Sequence, residues 1–98
     1  MKVRLAVTLA ARLVGLSNRE GFDGILLLAP CNDIHTYTMK DPIDVAFVSR
    51  DGIVLESHRN VATRKRLRCR RAVAVLERFS CDAPWCEPGA PVRIFPEA

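Results

Sequence analysis

Ninety-eight residues, 49% hydrophobic and 27% charged, supply enough apolar material for one core and exclude wholesale disorder. No apolar run approaches the roughly 18 residues that cross a bilayer as a helix, so no membrane partner is expected. The formal charge of +4 is modest, and its distribution along the chain carries more information than its total.

The apolar part of the N-terminus is short, and Arg12 interrupts it, so no export signal is expected and the chain is read as cytoplasmic. In that compartment Cys31, Cys69, Cys81 and Cys86 are expected as free thiols, not as a disulfide framework. Residues 2–7 alternate weakly, Val3, Leu5 and Val7 against Lys2 and Arg4, which predicts an opening strand. Thr8 can cap a helix of about two turns carried by Leu9, Ala10, Leu13, Val14 and Leu16, ending at Gly15 or at Ser17-Asn18. Gly21-Phe22-Asp23-Gly24 is a turn cluster. The continuous apolar run 25–29, bounded by Gly24 and Pro30, predicts a buried strand, and 30–33 a loop.

Residues 34–54 are the most legible stretch. The run 43–49 is rich in β-formers and alternates in part, with Ile43, Val45 and Phe47 set against Asp44, Ala46 and Val48. Asp51-Gly52 is a short hairpin signal, and Ile53-Val54-Leu55 starts the returning strand. Residues 54–60 predict an exposed strand, 60–65 a loop and 67–76 a further alternating strand. Residues 80–89 hold two cysteines, two prolines and the single Trp, which predicts an irregular segment with Trp85 as a packing plug. A short strand at 91–95 closes the chain. Many short strands and few helical residues predict a mainly β (α+β) fold. It is expected as a compact β-sandwich or small barrel, largely antiparallel, with one or two short helices in a single domain over 1–98.

The strings Arg12-x-x-Gly15-Leu16-x-x-Arg19 and Gly24-Ile25-Leu26-Leu27 lead to Cys31-x-x-Ile34-His35-Thr36-x-x-Met39-Lys40-x-Pro42-Ile43-Asp44-Val45-x-Phe47, followed by Val75-Leu76-Glu77 and Pro88-Gly89. On these residues the chain resembles the domain-of-unknown-function 192 (DUF 192) family of small bacterial and archaeal proteins. The resemblance implies a compact, single-domain, β-rich fold and no established activity, so function has to be argued from the site. Two positions depart from the family pattern. Gly89-Ala90 stands where the family shows Gly-Asp, and Thr38 replaces an aromatic, with Tyr37 one position earlier.

His35 and Asp44 are the sharpest candidates for chemistry. Were their strands neighbours, imidazole and carboxylate could form an oriented base or a polar ligand site, with Tyr37 nearby. Lys40 could pair with Asp41 or Asp44, or offer its ammonium to an anionic ligand. The competing reading is structural, with His35 bonding a backbone group and Asp44 capping the turn after Pro42. Cys31 with His35 could act as nucleophile and base, but no nucleophile turn or oxyanion hole accompanies them. Adding Cys81 and Cys86 reaches the four ligands tetrahedral zinc takes, yet the spacings lack a paired zinc motif. Neither metal nor cofactor is expected.

The basic run Arg59, Arg64, Lys65, Arg66, Arg68, Arg70 and Arg71 suits phosphates or acidic surfaces. On a strand, Arg66, Arg68 and Arg70 share one face. No aromatic interleaves them to stack bases, which favours a solvated edge or an acidic protein partner over nucleic acid. The expected function is a binding or accessory module, with a polar site at His35, Lys40 and Asp44 and a basic strand face for a small anionic ligand or acidic partner. The alternative is a small enzyme using His35 with Cys31 or Asp44.

Overall fold

The computed structural model describes residues 3–6, as backbone, and 24–92. The helix expected over 9–16 lies outside those residues, as does 93–95 of the closing strand. Seven strands follow in order: β1 (Val3–Ala6), β2 (Ile25–Leu28), β3 (Asp33–His35), β4 (Ile43–Val48), β5 (Val54–Val61), β6 (Arg66–Arg68) and β7 (Ala74–Phe79). The fold is strand-rich and largely antiparallel, as the many short β-forming runs predict. Five strands form one sheet in the order β1-β2-β7-β4-β5, and β3 and β6 pair as a separate ribbon. Among the described residues, only β1 and β2 run parallel.

The sheet is covered on both faces, which is why β2 reads as an unbroken apolar run and β4, apolar but for Asp44, is buried along its whole length. Alternation still sorts their side chains. Leu26, Leu28, Ile43, Val45, Phe47 and Val75 join one core cluster, which Ile34 and Met39 complete from the β3 side. Ile25, Leu27, Ala46, Val48 and Leu76 form the opposite cluster, closed by Val54 and Trp85. The ribbon therefore lies over one face and the 80–92 segment over the other.

Asp51-Gly52 makes the expected turn between β4 and β5, with Gly52 at φ 79, a conformation that suits glycine. The alternating run 67–76 does not form one strand. Cys69 and Ala72 turn inward and close a tight turn through Ala72 N–H to the Cys69 carbonyl (3.0 Å), so the chain leaves the ribbon at Arg68 and enters the main sheet at Ala74. In the closing segment, Pro91 makes only an isolated bridge to Ile53.

Candidate functional site

Asp44 and Arg78 face each other across the β4–β7 ladder, on the side of the sheet away from the ribbon. Asp44 is fully buried and Arg78 is 4% exposed. The Asp44 carboxylate accepts from Arg78 Nε (2.8 Å), Ser80 Oγ (2.8 Å) and the Asn60 backbone N–H (2.9 Å). The last bond exists because the β4–β5 register slips between Ile43 and Val45. Asn60 adopts φ 54 at that slip, a conformation asparagine tolerates, and its N–H turns from the ladder to the carboxylate. Burial pushes the Asp44 pKa up, but the Asn60, Arg78 and Ser80 bonds outweigh it and leave the carboxyl below its ordinary value.

The rest of the Arg78 guanidinium donates to the carbonyls of Pro84 (3.0 Å) and Ala83 (2.7 Å) and lies 4.5 Å from the centre of the Trp85 ring. Trp85 Nε1–H reaches the Val45 carbonyl at 3.2 Å. Arg59 adds bonds to the carbonyls of Cys81 and Ala83, 2.8 Å each. This network fastens the irregular 80–85 segment to the sheet. It is polar machinery for holding structure, since the carboxylate is saturated and closed to solvent.

His35 lies elsewhere. In the β3–β6 ribbon, Asp33 pairs with Arg68 and His35 with Arg66, while Ile34 and Leu67 turn toward the core. The outward face thus carries Asp33, His35, Arg66 and Arg68 together. Arg66 grips Asp33 with two bonds, Nε–H at 3.1 Å and NH2 at 2.6 Å. That grip outweighs the opposing effect of burial and, with the lesser help of the neighbouring charges, holds the Asp33 carboxyl below its usual range. Tyr37, 56% exposed, stacks its ring on His35, centroids 5.0 Å apart and planes within 20°. Arg64, Lys65, Arg70 and Arg71 are also exposed along the same segment.

Thr36 is the hub that presents this face. Buried between His35 and Tyr37, its hydroxyl donates to the Ala62 carbonyl (2.7 Å) and accepts from Lys65 N–H (2.9 Å). Its backbone N–H donates to the Lys65 carbonyl (2.8 Å), and its carbonyl accepts from Arg64 N–H (3.1 Å). Thr36→Val keeps the shape and removes the hydroxyl, leaving the Ala62 carbonyl and Lys65 N–H without that partner. A loss on the order of 2 kcal/mol is expected in urea unfolding. An unchanged midpoint would show that the backbone bonds alone hold the loop.

The structure therefore places His35 and Asp44 on opposite sides of the sheet and does not bring them together. Lys40 is exposed in the turn between β3 and β4. The Cys31 sulfur donates to the Asp33 carbonyl (3.4 Å) and packs against the inner cluster, whereas His35 faces outward. All four cysteines are free thiols, and no group of three or more metal-ligating side chains gathers among the described residues. Burial, then the Glu56 carboxylate, pushes the Cys69 thiol up. Glu56 also holds His58 Nε2 at 3.1 Å. Sequence reasoning missed Arg78, Thr36 and the Asp33–Arg66 fork. Only Arg78 left a signal, as one of two adjacent charges, with Glu77, in the otherwise apolar string 73–79.

The DUF192 family model, described as Uncharacterized ACR, matches residues 1–83. A crystal structure of a protein of unknown function from Novosphingobium aromaticivorans DSM 12444 shares the fold with a TM-score of 0.72 at 22% identity, covering 82% of this chain. This chain spans 64% of that protein. A candidate transcription regulator from Sinorhizobium meliloti 1021 matches with a TM-score of 0.69 at 24% identity, over 80% of this chain and 67% of its own. These likenesses establish a common fold. Comparison with curated proteins finds no match.

Proposed function

The chain belongs to the DUF192 family, described without an activity, and we propose that it is a single-domain binding module whose β3–β6 face takes anionic groups. The observation that carries this reading is the gathering of Arg66, Arg68 and His35 on one exposed face, with Arg64, Lys65, Arg70 and Arg71 beside it. Asp33 is the one acid opposite them in the ribbon, and it steadies Arg66 instead of cancelling the row. Asp44 belongs to the fold's internal network and takes no part in the ligand face. Lys40 and Tyr37 flank it. The four thiols suit a reducing bacterial cytoplasm.

An enzyme is the weaker reading. Cys31 and His35 point apart, and at Cys69 the carboxylate of Glu56 stands between thiol and His58. Burial first, and then that carboxylate, raise the thiol pKa, and the order offers no direct path for its proton to an imidazole.

Anion capture predicts a specific thermal response. At matched ionic strength sulfate should raise the midpoint above chloride by about 5 °C or more, because a ligand of the folded state stabilises by mass action. Sulfate also stabilises proteins generally by exclusion from their surface. The decisive comparison is therefore the variant carrying Arg66→Ser, Arg68→Ser and Arg70→Ser, in which the excess should vanish. An equal sulfate effect in both proteins would sink the proposal.

A further inference from the structure

We infer that the anion this face accepts is single-stranded nucleic acid, with a base stacked on Tyr37 and the flanking phosphates on Arg64, Arg66 and Arg68. The inference rests on the anion-binding reading and adds the occupant's chemistry. A binder of bare phosphate or of carboxylates gains nothing from an exposed flat ring. Here the Tyr37 ring stacks on His35, which supports one of its faces, and the residue as a whole is 56% exposed. A stacked aromatic beside a guanidinium row is the arrangement by which proteins hold unpaired bases without reading sequence.

Two further observations fit that occupant. Arg66 and Arg68, two residues apart on one strand, stand about 6.6 Å apart along the ribbon, which spaces their charges along an extended backbone. Arg66 is held by its fork on Asp33, so its charge is positioned before any ligand arrives. Arg64 also adopts φ 63, a left-handed conformation that costs an arginine about 1 kcal/mol or more and that glycine takes freely. A strained position kept by a charged side chain, at the mouth of a basic row, fits a positive charge used there. The ribbon is two strands wide and three residues long, with no helix among the described residues to enter a duplex groove.

The test uses the full chain and four probes at low salt: a fluorescent oligothymidylate of about ten nucleotides, the same length as duplex, inorganic polyphosphate of equal charge, and polyglutamate. The single strand should bind tightest. Tyr37→Ser should weaken oligothymidylate about tenfold and leave polyphosphate unchanged, since it removes stacking and no charge. Arg64→Gly relieves the backbone strain, so it should hold or raise the melting temperature while weakening both polymers and lowering the salt slope by about 0.7. Polyphosphate binding as tightly as the oligonucleotide, with Tyr37→Ser silent, would overturn the nucleic-acid inference and leave the anion face standing. Preference for duplex or for polyglutamate would overturn it as well. Binding of none of the four, with no sulfate-specific stabilisation, would remove both readings.

Discussion

Asp44→Ala is expected to lower folding stability by about 3–5 kcal/mol, the cost of leaving a buried charge without its partner. The substitution removes the acceptor of Arg78, Ser80 and the Asn60 N–H together, and Arg78 is too deeply buried to recover water in exchange. Against a total of about 5–15 kcal/mol, such a loss takes a large part of the molecule's stability. Trp85, the single tryptophan, rests on Arg78 and reports the outcome. Its emission should shift red as the 80–85 segment loosens, and urea unfolding should give the loss directly. A variant as stable as the parent would mean that Arg78 is held by the Ala83 and Pro84 carbonyls and the ring alone. Acid should act on the same bond. Because the Asp44 pKa is lowered in the fold, its contribution is fully present above the ordinary carboxylate value of about 3.9. It fades as pH falls through the lower folded value. The parent should thus lose stability below about pH 4 more steeply than Asp44→Ala.

Trp85→Ala is expected to cost about as much, in the range of 3–5 kcal/mol for a large buried aromatic. The indole fills the cluster of Ile25, Leu27, Ala46, Val48, Val54 and Leu76, donates to the Val45 carbonyl and covers the Arg78 guanidinium. Trp85→Phe keeps a ring over Arg78 but drops the donor, so it should lose about 1–3 kcal/mol. Asp44 and Trp85 touch the same guanidinium from different sides, so their effects should not add. A double-mutant cycle in urea should give a coupling of about 0.5–3 kcal/mol. Simple additivity would show that Arg78 responds to each partner separately. Neither substitution touches the β3–β6 face, so binding measured well below the melting temperature should survive both.

Much of the architecture can be read from residue order. The apolar run at 25–28 and the β-forming run at 43–48 stand as strands, and Asp51-Gly52 turns between β4 and β5, because each signal is local: β-branched content, a bounding turn residue, a glycine where φ must be positive. The run 67–76 misleads for the same reason. Its alternation is regular, but Cys69 and Ala72 are drawn into the core at a turn that only the neighbouring sheet makes favourable. Alternation in sequence says which residues could share a face; it does not say where the chain changes partners.

The candidate site divides along the same line. Sequence alone identified the polar vocabulary: His35 and Asp44, set in a string shared with the family, and the arginine row outside that string. It also established a strand-rich fold with a charged segment late in the chain. Tertiary structure decided the companions. Asp44 and His35 sit nine residues apart, yet Asp44 alternates with Val45 and faces the far side of a sheet that the ribbon covers from the near side. Its partners come from Asn60, Arg78 and Ser80, and those of His35 from Tyr37 and the strand carrying Arg66. The basic run reads as free of aromatics because Tyr37 lies 29 residues before Arg66. The antiparallel pairing of β3 with β6 closes that distance, and pairing register is a property of two strands together, which neither stretch encodes by itself.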